Sequence, residues 1–285
     1  MKTRTLALVA VMVLALGACK LKDEGSAGPA GSGSAGSAAS SLDVTFVKSV
    51  PKSGTKVTMT NKMNMKFTFG GKVFRETEEQ STQVEVQASD EFRVTKAAID
   101  VKELFATKQE GTGDEKKSVN PLAGSRFVVT RADDGKLSAL DSSGGKVAAT
   151  QLKEIDAHYA DVFDKDKASE FIPNRALKIG EKLVPSSDSV LDMIGIKDDG
   201  KTTVDGVEFI LKSASGDKAE FAVSFTFTQK IDGGMRLRAK LEGTIGVNPK
   251  GSRITAVSLK GPLTILDGKG DEKGKGDLSL TGTES

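Results

Sequence analysis

The stretch Lys56-Val57-Thr58-Met59-Thr60-Asn61-Lys62-Met63-Asn64-Met65-Lys66-Phe67-Thr68-Phe69 decides the fold class. Val57, Met59, Met63, Met65, Phe67 and Phe69 occupy odd positions, while Thr58, Thr60, Lys62, Asn64, Lys66 and Thr68 occupy even ones. Asn61 alone interrupts the apolar set. Successive side chains of a strand point to opposite faces, so a period of two reads as a half-buried strand or strand pair. Gly70-Gly71 then supplies a turn, and a second extended segment runs to about Val86, which makes a hairpin. Glu76, Glu78 and Glu79 in that second segment read as a solvated strand edge, where charge discourages edge-to-edge association.

The C-terminal third repeats this pattern, with extended segments expected near 202–212, 219–230, 235–247 and 254–266. Phe221, Val223, Phe225 and Phe227 share one face, and Met235, Leu237, Ala239 and Leu241 share another against Arg236, Arg238, Lys240 and Glu242. Ser215-Gly216-Asp217, Asp232-Gly233-Gly234 and Asn248-Pro249-Lys250-Gly251 have the composition of tight turns. An antiparallel meander with one wet face follows. Two stretches leave this pattern. Leu152, Ile155, Tyr159, Val162 and Phe163 have helical spacing within 151–163, and a shorter helix is expected over 187–194 with Ser187 or Asp188 as its N-cap. The expectation is a mainly β domain over 42–285: a long antiparallel meander forming a curved sheet or open half-barrel, covered by one or two helices.

The N-terminus is of a different kind. Lys2 and Arg4 precede an uncharged apolar run from Leu6 to Leu16, which has the layout of a signal peptide over residues 1–18. A membrane-spanning helix needs roughly 20 apolar residues, so this run is too short to be one. From Glu24 to Ser41 the chain is almost wholly Gly, Ser and Ala, a flexible tether of roughly 20–25 Å reach. Gly31, Gly33 and Gly36 have G-x-G-x-x-G spacing there, but no strand precedes them and no helix follows, so no dinucleotide site is expected.

Charge and composition narrow the function. Removing Lys2 and Arg4 from the 41 basic residues leaves as many as the 39 acidic ones, so the mature chain lacks the basic field that nucleic acid requires. It has no Trp and one Tyr, few aromatics on which bases could stack. His158 is the only histidine and Cys19 the only cysteine, which removes Cys/His nucleophile pairs and His/Cys zinc sites. Ser49 to Lys52 and Ser53 to Lys56 spell S-x-x-K without the companion motifs of penicillin-recognising enzymes. Asp133-Asp134-Gly135, Asp198-Asp199-Gly200 and the Asp267, Asp271, Asp277 series read as turns, since none has the spacing of a calcium loop. No enzymatic activity, cofactor or metal is expected.

Leu16-Gly17-Ala18-Cys19 resembles the lipobox of bacterial lipoproteins. The resemblance implies cleavage before Cys19, lipidation of Cys19 and attachment to a membrane of the cell envelope, with Lys20 favouring the outer over the inner membrane. Each buried acyl CH₂ contributes on the order of 0.8 kcal/mol, so two or three chains hold where one is marginal. The passage Phe171-Ile172-Pro173 with Lys178-Ile179-Gly180-Glu181-Lys182-Leu183 resembles a recurrent segment of envelope lipoproteins, in which a tryptophan often stands where Leu183 does. The architecture is similar to the unclosed β half-barrel of the LolA and LppX family, which holds lipid or acyl chains. That resemblance implies a lipid or other hydrophobic ligand on the concave face, lined by Met59, Met63, Met65, Phe67, Phe69, Phe221, Phe225 and Phe227. Methionine adapts to irregular apolar shapes. The alternative is a structural or partner-binding lipoprotein in which the same side chains are a filled core.

Overall fold

The computed structural model describes residues 43–47, 49–163, 172–194, 200–251 and 253–285. The expected signal peptide, Cys19 and the linker lie outside the described residues, as do Phe171 and Asp198-Asp199. The first half of the described chain comprises β1 (Val44–Thr45), β2 (Lys56–Phe69), β3 (Lys72–Ser89), β4 (Val94–Glu110), β5 (Lys116–Val119), β6 (Arg126–Arg131), β7 (Leu137–Asp141) and α1 (Ala149–Tyr159). The second comprises β8 (Ala176–Leu177), β9 (Lys182–Leu183), α2 (Ser187–Met193), β10 (Thr202–Ser215), β11 (Lys218–Lys230), β12 (Arg236–Asn248), β13 (Arg253–Leu266) and β14 (Glu272–Glu284).

Twelve strands form one open antiparallel sheet in the order β7-β6-β4-β3-β2-β14-β13-β12-β11-β10-β9, with β5 also paired to β4. The sheet is two meanders joined where β2 meets β14, so the first long strand and the last lie side by side at its centre. Thr58 and Ser285 exchange both backbone hydrogen bonds there, at 2.8 and 3.0 Å. The outermost strands are short, five residues in β7 and two in β9, which leaves little unpaired edge as a template for association.

Burial follows the period of two, because only one face of the sheet is covered. Val57, Met59, Met63 and Met65 of β2 are buried, as are Phe221, Val223, Phe225 and Phe227 of β11. Two separate cores result. Val57 and Met59 join residues of β3, β4, β6 and β7 under Ile155 and Tyr159 of α1 and Phe163 beyond it. Met63 and Met65 join β10–β14 under Phe46, Leu177 and the α2 residues Val190, Leu191 and Met193. β2 therefore passes from one core to the other, and Asn61 lies at the crossing.

Three glycines bring neighbouring strands of the sheet into close approach. A Cβ on Gly243 would sit 1.8 Å from the Ser258 carbonyl oxygen, on Gly261 1.7 Å from that of Lys240, and on Gly276 1.9 Å from that of Lys66. Each contact is with the backbone of an adjacent strand, closer than any side chain permits, so glycine here allows the approach.

Three expectations change. The helix expected over 151–163 starts at Ala149, ends at Tyr159 and continues as a 3-10 turn over Ala160–Val162. The cap of α2 is Ser186, one residue before the expected pair: its hydroxyl oxygen accepts from the Ser189 amide at 3.1 Å, while the Ser187 hydroxyl donates to the Val204 carbonyl. The stretch read as a solvated edge is interior, since β3 lies between β2 and β4 and Glu76 is 6% exposed. Glu76 and Glu78 share parity with the buried Thr82, Val84 and Val86, so they point to the covered face.

Candidate functional site

The eight side chains expected to line a ligand face divide into groups. Phe221, Phe225 and Phe227 are at most 1% exposed and pack within the larger core, as do Met63 and Met65. Met59 belongs to the other core. Phe67 and Phe69 are half-buried at the end of β2, where Phe67 stacks on Phe74 with ring centroids 5.0 Å apart. Of the eight, Met63 borders an inner-face hollow of about 370 Å³ at the junction of the two cores.

This hollow is bounded by Asn61, Lys62 and Met63 of β2, Glu78, Glu79 and Gln80 of β3, Leu104, Phe105 and Ala106 of β4, Ser118 and Val119 of β5, Asn120 and Pro121, and Glu154 and His158 of α1. The sheet supplies its floor through register: Met63 stands opposite Glu78, and Glu78 opposite Ala106. Asn61 opposes Gln80, which opposes Leu104. The helix supplies its wall, because Glu154 and His158 lie one turn apart on the same side of α1.

Glu78 is the unusual group. Burial, then the charge of Glu76, pushes its carboxyl up to about 7, and Lys108 offsets this only in part. Lys108 is shared with the neighbouring acid, its Nζ lying 2.5 Å from Oε1 of Glu76. Lys62 is likewise taken by Glu79 at 2.6 Å.

On the wall, Asn120 is fixed by two bonds: its Oδ1 accepts from the Leu122 amide and its Nδ2 donates to Glu154 Oε2, each at 2.9 Å. His158 Nε2 lies 3.4 Å from Asn120 Nδ2 and 3.6 Å from Glu154 Oε2. Burial pushes the imidazole below its ordinary value, against the pull of Glu154, which favours a neutral ring. Its Nδ1 is buried without a protein hydrogen-bond partner. Deeper along the same seam, the Tyr159 hydroxyl meets Thr82 Oγ1 at 3.0 Å, and burial pushes the phenol up. The arrangement combines a soft apolar floor with acceptors and carboxyls, the composition of a site that orients a small molecule.

A second hollow, about 770 Å³, lies beside Lys66, Arg75, Lys240, Lys260, Glu242 and Asp277, which project from the opposite face. Asp134 and Asp267 bind their own turns, the latter accepting from the Lys269 and Asp271 amides at 2.8 and 3.0 Å. Among the described residues no group of three or more His, Cys, Asp or Glu is placed to hold a metal ion. No helix among them is long and apolar enough to cross a membrane.

No family model matches the chain, and no curated protein does so. Among solved structures, lipovitellin matches 82% of this chain at 10% identity with a TM-score of 0.39, and this chain spans 25% of that one. DynF from the dynemicin biosynthesis pathway of Micromonospora chersina matches at 12% identity and TM-score 0.20, over 86% of each chain. A DUF1329 family protein from Desulfovibrio piger matches at 10% identity and TM-score 0.16, over 80% of this chain and 83% of its own.

Proposed function

We propose that this chain is a lipid-anchored, non-enzymatic binding protein of the bacterial envelope that holds a small ligand with a hydrophobic body in the hollow between its two cores. The observation that carries this reading is the hollow itself, floored by Met63, Leu104 and Ala106 and containing the Glu78 carboxyl. Burying an acid costs stability, and such costs gather at sites under functional demand. A volume of about 370 Å³ falls within the range of small-molecule pockets. In this reading Cys19 carries the anchor, the linker holds the domain some tens of ångströms from an outer-membrane surface, and no reaction is catalysed.

The burial of Phe221, Phe225 and Phe227 favours a second reading, a partner-binding envelope lipoprotein whose covered face is filled. The two are separated by titrating the full chain in detergent with a naphthalene-based fluorescent probe, alongside the variant Ala106→Trp, which places an indole in the hollow. Saturable binding lost in the variant supports the ligand-holding reading. Probe binding that is absent, or unchanged by the indole, removes it in favour of the second.

A further inference from the structure

The uncovered face of the sheet carries the second hollow, about 770 Å³, and strand register shows how it is built. Glu76, Met65, Leu278 and Gly261 form one line of partners across β3, β2, β14 and β13. The side chains of Glu76, Met65 and Leu278 are buried on the covered face and Gly261 has none, so the floor is backbone. The flanking residues make two walls. One runs from Arg75 and Lys66 past Asp277 to Pro262, the other from Thr77 past Asn64 and Ser279 to Lys260, with Glu242 of β12 beyond. The result is a groove across the strands, about 19 Å from β3 to β12 at the usual strand spacing.

Its charges are unbalanced. Lys66, Arg75, Lys240 and Lys260 line it against the carboxylates of Glu242 and Asp277, while the Glu76 carboxylate, on the covered face, is held by Lys108. Glu242 pairs with Lys240 at 2.7 Å and stands opposite Lys260, and Asp277 stands opposite Lys66. Two positive charges remain in excess. The next row of the same face adds Lys275 and Arg238, joined through Thr264, and no acid. Among the described residues Lys66, Arg75, Arg238, Lys260 and Lys275 form no ion pair. Lys66 and Arg75 stand directly opposite each other, an arrangement of like charges that destabilises a sheet. Arg75 Nη1 donates only to the neutral Gln109 Oε1, at 2.8 Å. Further along this face cations are answered, Lys62 by Glu79 and Lys56 by Glu85.

We propose that this groove binds a linear anionic glycan, laid across the strands with acid groups on Arg75 and Lys66 at one end and on Lys260 and Lys240 at the other. An acid between Lys66 and Arg75 relieves their repulsion. The other wall suits the hydroxyl groups of a sugar chain, through the hydroxyls of Thr77 and Ser279 and the Asn64 amide. Thr77 Oγ1 donates to Asn64 Oδ1 at 3.3 Å, which leaves Asn64 Nδ2 to donate to a ligand. Among the described residues no aromatic ring lines the groove, which disfavours stacked bases. The concave backbone floor presents no apolar side chain for insertion into a bilayer. The groove lies on the face away from the hollow that contains Glu78, and the proposal does not rest on the reading of that hollow.

The test is isothermal titration calorimetry of the full chain in a neutral detergent at low salt, with tetragalacturonate, which carries a carboxylate on every sugar, and with uncharged maltotetraose. Tetragalacturonate is expected to bind and to weaken as salt is raised, and maltotetraose not to bind. Arg75→Gln and Lys260→Gln, at opposite ends of the groove, are each expected to weaken binding about 3- to 10-fold. Lys56→Gln, on the same face of β2 but outside the groove, is expected to leave it unchanged. Ala106→Trp, in the other hollow, is expected to leave it unchanged as well, so the two sites are read separately. Absence of binding, silence of both groove variants, or equal weakening by Lys56→Gln overturns the assignment. Tighter binding of an oligothymidylate, or displacement of the glycan by phosphatidylglycerol added to the micelles, overturns it in favour of nucleic acid or an anionic lipid surface.

Discussion

Glu78 and Met63 face each other across the β2–β3 ladder, a carboxyl directly opposite a thioether on the covered face of the sheet. Burial of this carboxyl, with the Glu76 charge beside it, has a thermodynamic signature. In the unfolded chain Glu78 titrates near 4.5, and in the folded protein near 7, so between these values the folded state binds the extra proton. Stability from this group is therefore full below about pH 4.5 and is lost as pH rises towards 7. The loss is about 3 kcal/mol as an upper figure. His158 acts in the opposite sense, its lowered value removing stability as pH falls through 6.5. Glu78→Gln isolates the first effect. In urea denaturation the variant is expected to be more stable than wild type at pH 8 and little changed at pH 4. Equal shifts at both values would refute the titration argument.

The positions of the strands were legible because alternation survives over long stretches of β2, β11, β12 and β13, where one face is apolar and the other mostly polar. Their lateral order was not, since the pairing of β2 with β14 joins residues more than 200 positions apart and nothing local specifies it. The hollow was half legible. Glu76, Glu78, Gln80 and Thr82 are even positions, like Val84 and Val86, and parity alone places them on the covered face. Their charge argues for solvent against that parity, and the fold follows the parity. His158 and Asn120 could not be linked to Glu78 from sequence, because the contact of α1 with the seam is tertiary.

The filled and open parts of the covered face differ in their response to truncation. Phe225 is 1% exposed and pairs with Leu241 in the larger core, so Phe225→Ala is expected to cost about 3–5 kcal/mol, a large part of a typical margin of about 5–15. Met63 is also buried but borders the hollow, where neighbouring side chains leave space already. Met63→Ala is expected to fall at the low end of the methionine range, about 2 kcal/mol. Chemical denaturation of both variants measures the contrast, and equal costs would argue that no hollow exists beside Met63.

Arg253 and Glu284 form an ion pair at 3.1 Å with side-chain exposures of 10% and 1%. Arg253→Met removes the guanidinium and leaves a buried carboxylate without it, a change expected to cost about 3–5 kcal/mol. Adding Glu284→Leu to Arg253→Met removes the charge as well and is expected to recover most of that loss. A double-mutant cycle in urea checks this, and a double variant as unstable as Arg253→Met alone would show that packing, not charge, governs the position.

Membrane attachment rests on one atom in the proposed function, the Cys19 sulfur. Cys19→Ala is expected to abolish incorporation of a labelled acyl chain and to release the protein from the membrane fraction, with the folded domain unaffected. Metabolic labelling followed by membrane flotation measures both. Labelling of the variant equal to wild type would mean that lipid, if present, is attached elsewhere.

The close approach of β12 and β13 depends on the absence of a side chain at Gly261. A methyl group there would lie 1.7 Å from the Lys240 carbonyl oxygen, about half the distance at which atoms touch, and the obstacle is backbone that no rotamer change can move aside. Gly261→Ala must therefore separate β12 from β13 at a position between Leu259 and Leu263 of the larger core. The cost is expected to exceed the 1–3 kcal/mol usual for overpacking. Gly268, in the β13–β14 turn, is the control, since a Cβ there meets only the Gly234 carbonyl oxygen at an ordinary 3.5 Å. Gly268→Ala is expected to stay within about 0.5 kcal/mol of wild type. Thermal and urea denaturation of the pair measure the difference. If Gly261→Ala is as stable as Gly268→Ala, β12 and β13 do not approach as closely at Gly261 as the 1.7 Å contact requires.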